Sequence, residues 1–457
     1  MPVPHRAVLV AGATAAAAAL LLSGCTAQPE AADGSVKITV NGLPGEDNPD
    51  GRKAFLAQVK EFEAENPNID VEPLEWNWDA RTFNAQLAGG DLPVSFQAPF
   101  TEAGGLISRG QIKDLTSWVE GSEKLSAILP AMLDAVKGAD GRYYAIPTFA
   151  TQNGLLLHRG LFAEAGLDAD APFESWDEVA TAAGAIADST GKAGFCQLTT
   201  QNQGGWILSS IIAAFGNELQ ERDGDTFRAT IDTEGAHQAL EFLKEVRWEH
   251  NAAGSNFLVD FSALAPEFAA GNCGMMVGPD GWLGEFVKNN GMDPADFGMF
   301  PMPQDSDGLG GLGGGTLSVV RPDATDEETE AAIKWLEYRF LDQFYDLDAA
   351  AELAEAQAAD GGPVPATFYA IVDQPTYAEY FAAIEPYTNV PMENVQSYID
   401  STQTLPVVSE PSVEAQQIYA ILDSIIQAVL TRKDADIDQL LRDAQSQAET
   451  ILAAAQQ

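Results

Sequence analysis

The chain has 457 residues, beyond the usual size of one hydrophobic core, which points to two lobes. Its 68 acidic side chains against 24 basic ones give a formal net charge of −44, and the acids are scattered along the chain instead of gathered in a tail. So acidic a solvated surface repels phosphate backbones, which excludes nucleic acid as a partner and argues against acidic partner surfaces.

In chain order, Arg6 comes first, followed by an apolar run over 7–22 that ends in Leu22-Ser23-Gly24-Cys25. A basic start, an apolar middle and small residues at the cut mark a secretory signal. The run is short and Ala-rich for a transmembrane helix, and no later stretch approaches the roughly 18 apolar residues of a span. Leu-Ser-Gly-Cys resembles the lipobox of bacterial lipoproteins. That resemblance implies removal of residues 1–24, a diacylglyceryl group on the Cys25 thiol, and anchoring to the outer face of the cell membrane through lipid alone. Residues 26–35, TAQPEAADGS, are small and polar and read as a flexible tether.

VKITVN (36–41) alternates and predicts a strand. Phe55, Leu56, Val59 and Phe62 recur at helical spacing before Asn66-Pro67, and IDVEPLEW (69–76) returns to strand. Asp79 opens a second helix with Phe83 and Leu87 inward, and PVSFQAPF (93–100) is again strand-like. Such alternation argues for an α/β sheet with helices on its faces. A second α/β unit begins near YYAIPTFATQNGLLLHR (143–159), and a glycine-rich piece, 308–315, leads into TLSVV. Beyond Arg321-Pro322 the pattern is mostly helical. Two amphipathic helices end the chain, one with Ile418, Leu422, Ile425, Ile426 and Val429, the other with Leu440, Leu441, Ala444, Ala448 and Ile451. Cys196 and Cys273 each sit at the edge of a strand-like run, where a bridge between adjacent strands and two buried thiols are both open readings.

Catalytic and metal signatures do not emerge. His5, His158, His237 and His250 lack zinc-ligand spacing, and neither a nucleophile elbow nor a phosphate-binding loop occurs. Gly308, Gly310 and Gly313 match G-x-G-x-x-G but precede a strand instead of opening a helix, which fits a hinge or a close-packed loop. Nothing singles out a carboxylate pair for glycoside hydrolysis among 68 acids. No cofactor and no metal are therefore expected.

The motif series ITVNG, FLAQVKEFEAENPNIDVEP, FNAQLAGGDLPVSFQAPF, YYAIPTFATQNGLLLHRGLFAEAGLDADAPFESWDEV and FAAGNCGMMVGPDGW follows the lipobox. It resembles the extracellular solute-binding proteins of sugar-type ABC importers, the family that includes maltose-binding protein. The resemblance implies a two-lobed α/β fold of the type II periplasmic-binding kind, with hinged lobes and a helical C-terminal part. Residues 36–147 plus 304–322 would form the N-terminal lobe, and 148–303 plus 323–457 the C-terminal lobe and helices. The hinge segments would lie near 146–151, 300–315 and 321–324.

Also implied is a monomer that captures a carbohydrate between the lobes and delivers it to ABC permease subunits, without catalysis. Sugar hydroxyls demand paired polar groups, and sugar C–H faces lie on aromatic rings. Trp282, with Asp280 and Gly281 beside it, is the leading stacking candidate. Trp76, Trp78, Trp206 and Tyr369 are further aromatic candidates, and Glu46, Asp47, Thr101, Glu102, Phe149, Thr151 and Asn153 the remaining cleft candidates. A surface glycoside hydrolase and a transport-independent solute sensor of the same fold are the competing expectations.

Overall fold

The computed structural model describes residues 35–46, 48–224 and 226–456. The signal, Cys25 and most of the tether, and likewise Asp47, lie outside the described residues. The strands in chain order are β1 (Val36–Val40), β2 (Ile69–Pro73), β3 (Ser95–Pro99), β4 (Ile146–His158), β5 (Ala193–Phe195), β6 (Gln220–Asp223), β7 (Thr226–Ala229), β8 (Cys273–Pro279), β9 (Phe297–Phe300), β10 (Gly311–Val320) and β11 (Val407–Val408). The main sheet runs β2-β1-β3-β10-β4-β8-β5, with β9 on β4 and β11 on β10, while β6 and β7 form a separate hairpin. β1 is parallel to β2 and β3, and β5 is parallel to β8. The central pairings β3 with β10, β10 with β4 and β4 with β8 are antiparallel.

Helices follow the apolar spacing. Helix Pro49–Glu65 starts with proline after Asn48, whose side chain accepts from Gly51 N–H at 3.0 Å. It buries Phe55, Val59 and Phe62, whereas Leu56 is 44% exposed. The two final helices, Ala415–Thr431 and Ile437–Ala455, bury the predicted stripes, except that Leu440 is only half-buried and Leu452 turns inward in place of Ile451.

Two cores divide the molecule, and β4 passes from one to the other. Its Ile146 and Ala150 belong to the first core, with β1, β2 and helix Pro49–Glu65. Its Leu155, Leu156 and Leu157 belong to the second, with β8 and the two final helices. The crossover therefore falls at residues 151–154, at the end of the expected 146–151 hinge. On the return path, Phe300 and Met302 lie in the second core, and Leu317 and Val319 in an annex of the first. β10 makes that return through glycines because it is crowded: a Cβ at Gly310, whose φ is +121°, would overlap the Pro406 carbonyl, and one at Gly315 would overlap that of Phe149. These glycines serve close packing, one of the two readings that the loop's context allows.

One expected boundary is corrected. Residues 323–457 do not pack as a unit on the second lobe, and no crossing occurs at 321–324: Ala324, Ala331, Ala332, Ile333, Trp335 and Leu336 lie in the first core. The cause is helix Asp326–Leu336, started by a capping box between Thr325 and Glu328. It drives Trp335 against Phe55 and Phe62, with ring centroids at 6.0 and 5.3 Å. Tyr369 and Tyr377 also join the first core, and the chain is back in the second by Val390 and Val395. Cys196 and Cys273 are joined by a disulfide, with Cα atoms 6.2 Å apart, across the parallel neighbours β5 and β8.

Candidate functional site

Between the cores, the crossing strands are buried on all but a short band. β4 opens only at Phe149 and Thr151, and β10 only at Gly314, Gly315 and Thr316. The register sets Thr151 opposite Gly314 and Phe149 opposite Thr316, so the accessible positions form one contiguous floor. Phe149, at 43%, is among the most exposed large apolar side chains described.

The second lobe supplies an aromatic wall. β8 ends at Pro279, and the single turn Asp280–Trp282 carries the half-buried Trp282. Its indole stacks on Phe261, with centroids 4.1 Å apart at 25°, and meets Trp206 edge-on at 6.0 Å. Gly278 lies beneath the ring, where any Cβ would strike it. Trp206 rides on helix Gln203–Ala214, whose start is held by Asp423 accepting from Asn202 and Gly205 N–H at 2.7 and 2.8 Å. Glu410, from the segment after β11, reaches the same place. One carboxylate oxygen accepts from the Tyr419 hydroxyl at 3.2 Å, and the other lies 3.8 Å from where a Gly314 Cβ would be. Burial raises the Glu410 carboxyl above its ordinary value, against the pull of the Tyr419 and Trp206 hydrogen bonds.

The first lobe contributes the turn Phe100–Glu102, with the Phe100 ring packed where a Gly315 side chain would stand. Thr101 and Glu102 are half-buried, and burial raises the Glu102 carboxyl while Arg109 partly offsets it. Tyr369 is 6% exposed, its phenol pushed up to about 12 by burial and by Asp280. With Phe149, Phe344, Tyr377 and Tyr380 it lines a small cavity of about 80 Å³ beside the floor.

Two expected ligand contacts are corrected. Asp280 is fully buried: its carboxylate accepts from Thr151 Oγ1 at 3.0 Å and from the Phe368 and Tyr369 N–H groups at 2.6 and 2.9 Å. It therefore ties the crossing strand to the 368–369 segment and offers no oxygen to solvent. Loss of water pushes its carboxyl up, and these three donors together with the Gly281 N–H pull it back only in part. Asn153 is 2% exposed and donates to Ser210 Oγ at 2.7 Å. Asn153 shares the strand face of Phe149 and Thr151 but is covered by helix Gln203–Ala214, and Asp280 lies in the turn after β8, so strand position alone did not distinguish either from the floor.

Trp76 and Trp78 occupy the loop after β2, half-buried, but both rings lie on Phe96, at 5.1 and 6.4 Å. Trp76 Nε1 donates to Gln86 at 3.1 Å, and Trp78 also packs on Phe83 at 4.6 Å. They belong to the annex of the first core, and the structure joins neither to the Trp282 wall. Glu46 is exposed on the turn after β1, and Gly281 is exposed beside Trp282. Phe100, Phe261, Glu410 and Tyr419 escaped the sequence reading. Phe100 adjoins the flagged Thr101, but the other three gain meaning only from contacts distant in sequence.

A cavity of about 480 Å³ lies within the second lobe beside the disulfide, lined by Phe195, Cys196, Gln197, Phe257 and Cys273 among others. It touches neither crossing strand and is distinct from the cleft. Among the described residues, no group of three or more His, Cys, Asp or Glu is placed to hold a metal ion.

The family model for bacterial extracellular solute-binding proteins matches residues 46–338, more than half of the chain. The chain belongs to that family. An arabinooligosaccharide-binding protein of Halalkalibacterium halodurans is 25% identical to this solute-binding protein over 206 residues, which span 44% of each. The diacetylchitobiose-binding protein DasA of Streptomyces coelicolor is 24% identical over 314 residues, 65% of this chain and 68% of its own. A cyclic α-maltosyl-1,6-maltose-binding protein of Arthrobacter globiformis superposes with a TM-score of 0.65 at 21% identity, covering 92% of this chain and all of the other. The fold is thus the two-lobed one of the maltose-binding type, as the motif series implies.

Proposed function

We propose that the protein captures a saccharide between its lobes and hands it to an ABC permease, held at the outer face of the membrane by lipid on Cys25. The observation that carries the reading is the pairing of an aromatic wall, Trp206, Trp282 and Phe261, with an accessible polar floor at Thr151, Gly314 and Thr316. Aromatic faces complement sugar C–H surfaces, and flanking hydroxyl and carboxylate groups pair with sugar hydroxyls. The two curated relatives, named as an arabinooligosaccharide-binding and a diacetylchitobiose-binding protein, support the same ligand class.

Thermal unfolding against a panel of mono- and oligosaccharides, sugar alcohols and amino acids tests the ligand class. A ligand at a hundredfold excess over Kd adds about 2.7 kcal/mol of stability. A response only to non-saccharides overturns the assignment. The anchor is tested by fatty-acid labelling in cells, which Cys25→Ser should abolish, and delivery by uptake into vesicles carrying the cognate permease.

A further inference from the structure

Glu410 is unusual for a chain this acidic. Most acids are solvated, but this carboxylate is drawn into the cleft between Tyr419, Trp206 and Gly314. No cationic side chain is among the groups that act on it. Arg222 lines the cavity of about 160 Å³ behind it, yet its guanidinium lies over the Phe227 ring, 4.8 Å from the centroid. The missing side chain at Gly314 leaves one Glu410 oxygen directly above the accessible floor, facing the strand position opposite Thr151. A carboxylate only accepts hydrogen bonds. In a partly dry cleft its charge is weakly screened, so it attracts hydroxyl and ammonium donors and repels any anion brought alongside.

Resting on the saccharide reading above, we infer that Glu410 sets the ligand class: saccharides that present hydrogen-bond donors without negative charge, to the exclusion of phosphorylated and uronate-bearing ones. Neutral hydroxyls in pairs, or a sugar amine, satisfy the exposed oxygen. A phosphate or carboxylate at the same position meets like charge and no donor. Glu410 thus acts by direct contact with ligand, with Tyr419 and Trp206 as its positioning residues.

Titration calorimetry on the exported chain, with neutral trisaccharides of glucose, arabinose and N-acetylglucosamine and with glucosamine, uronate and 6-phosphate counterparts, tests this. Wild type should bind at least one uncharged or amine-bearing sugar and none of the anionic ones. Glu410→Gln should weaken that binding by about 10- to 100-fold, the range for loss of charge-assisted hydrogen bonds, and should narrow the discrimination against the anionic counterpart. Glu410→Asp, which keeps the charge but withdraws it, should weaken neutral binding while still rejecting anions, and its unliganded melting temperature checks folding. Unchanged affinity in both variants, or wild-type preference for an anionic sugar, overturns the role of Glu410 and leaves saccharide capture standing. Silence of wild type towards every saccharide instead removes the function proposed above, and this inference with it.

Discussion

Asp280 offers the sharpest test, because two substitutions at one buried carboxylate should behave very differently. Asp280→Ala strands two backbone N–H groups, at Phe368 and Tyr369, and a threonine hydroxyl in a site with no water access. The hydroxyl can rotate to another acceptor, but the two N–H groups cannot, and each unsatisfied buried donor costs about 1–3 kcal/mol. A loss of about 4 kcal/mol is expected. At this chain length the entropy of unfolding is near 1 kcal/mol per degree, so the melting temperature should fall by roughly 4–5 °C. Asp280→Asn keeps an oxygen for the two N–H groups and turns its amide towards Thr151 Oγ1, which can accept. It also removes the desolvation that raises the carboxyl. Its loss should stay within about 1 kcal/mol, with saccharide affinity within a few-fold of wild type, since Asp280 has no exposed surface. Calorimetric melting and titration of both variants decide it. Equal destabilisation by Ala and Asn would refute the donor accounting, and a stable Asn variant that no longer binds would return Asp280 to the ligand.

Gly278→Ala should displace Trp282 from its seat, altering intrinsic tryptophan fluorescence and weakening ligand binding about 30-fold, the loss of one aromatic hot spot of about 2 kcal/mol; an unchanged spectrum and affinity would remove Trp282 from the wall. Replacing Cys196 and Cys273 together by serine opens a loop closed over a sequence separation of 77 and should cost about 4 kcal/mol on chain-entropy grounds, read from denaturant midpoints with unchanged slope. The pH dependence follows from buried acids. Glu102, Glu218, Asp280, Glu410 and Asp423 all have carboxyls raised by burial, so the folded state holds their protons more tightly than the unfolded chain does. Their penalty is present above the folded pKa and is relieved as pH falls through it. Asp114, Asp140, Asp260 and Asp360 are lowered, and their contribution is lost only below the ordinary aspartate range. His158, lowered by burial, works the other way below the ordinary histidine range, so the test uses His158→Gln as background: there the melting temperature should rise as pH falls from 7 towards the ordinary carboxylate range and fall below that range, in about 0.5 M salt to screen surface repulsion; a flat or falling profile above the carboxylate range would contradict the sign.

Much of the fold was legible in local pattern. Period-2 and period-3.6 spacing located β1, β3 and the final helices, because the apolar face of an element is written in its own residues. The motif series from ITVNG to GMMVGPDGW carried the family, and the strand-edge positions of Cys196 and Cys273 made a bridge one of two open readings. What periodicity cannot report is which partner an apolar face meets. Trp335 sits in a helical pattern that allows core or surface packing alike, and only the packed chain sets it against Phe55 and Phe62, a contact that brings residues 324–341 to the first lobe. The site shows the same division. Trp282 was legible as an indole at a strand end, whereas Asp280, two positions earlier, looked equally accessible. Its fate rests on donors 129 and 88 positions away, at Thr151 and Phe368, and on the loss of water they impose together. Glu410 is the converse case, one acid among 68 until Tyr419, Trp206 and the bare Gly314 surround it. A side chain's type is local, but its desolvation is a property of everything folded around it, and only the tertiary structure sets that.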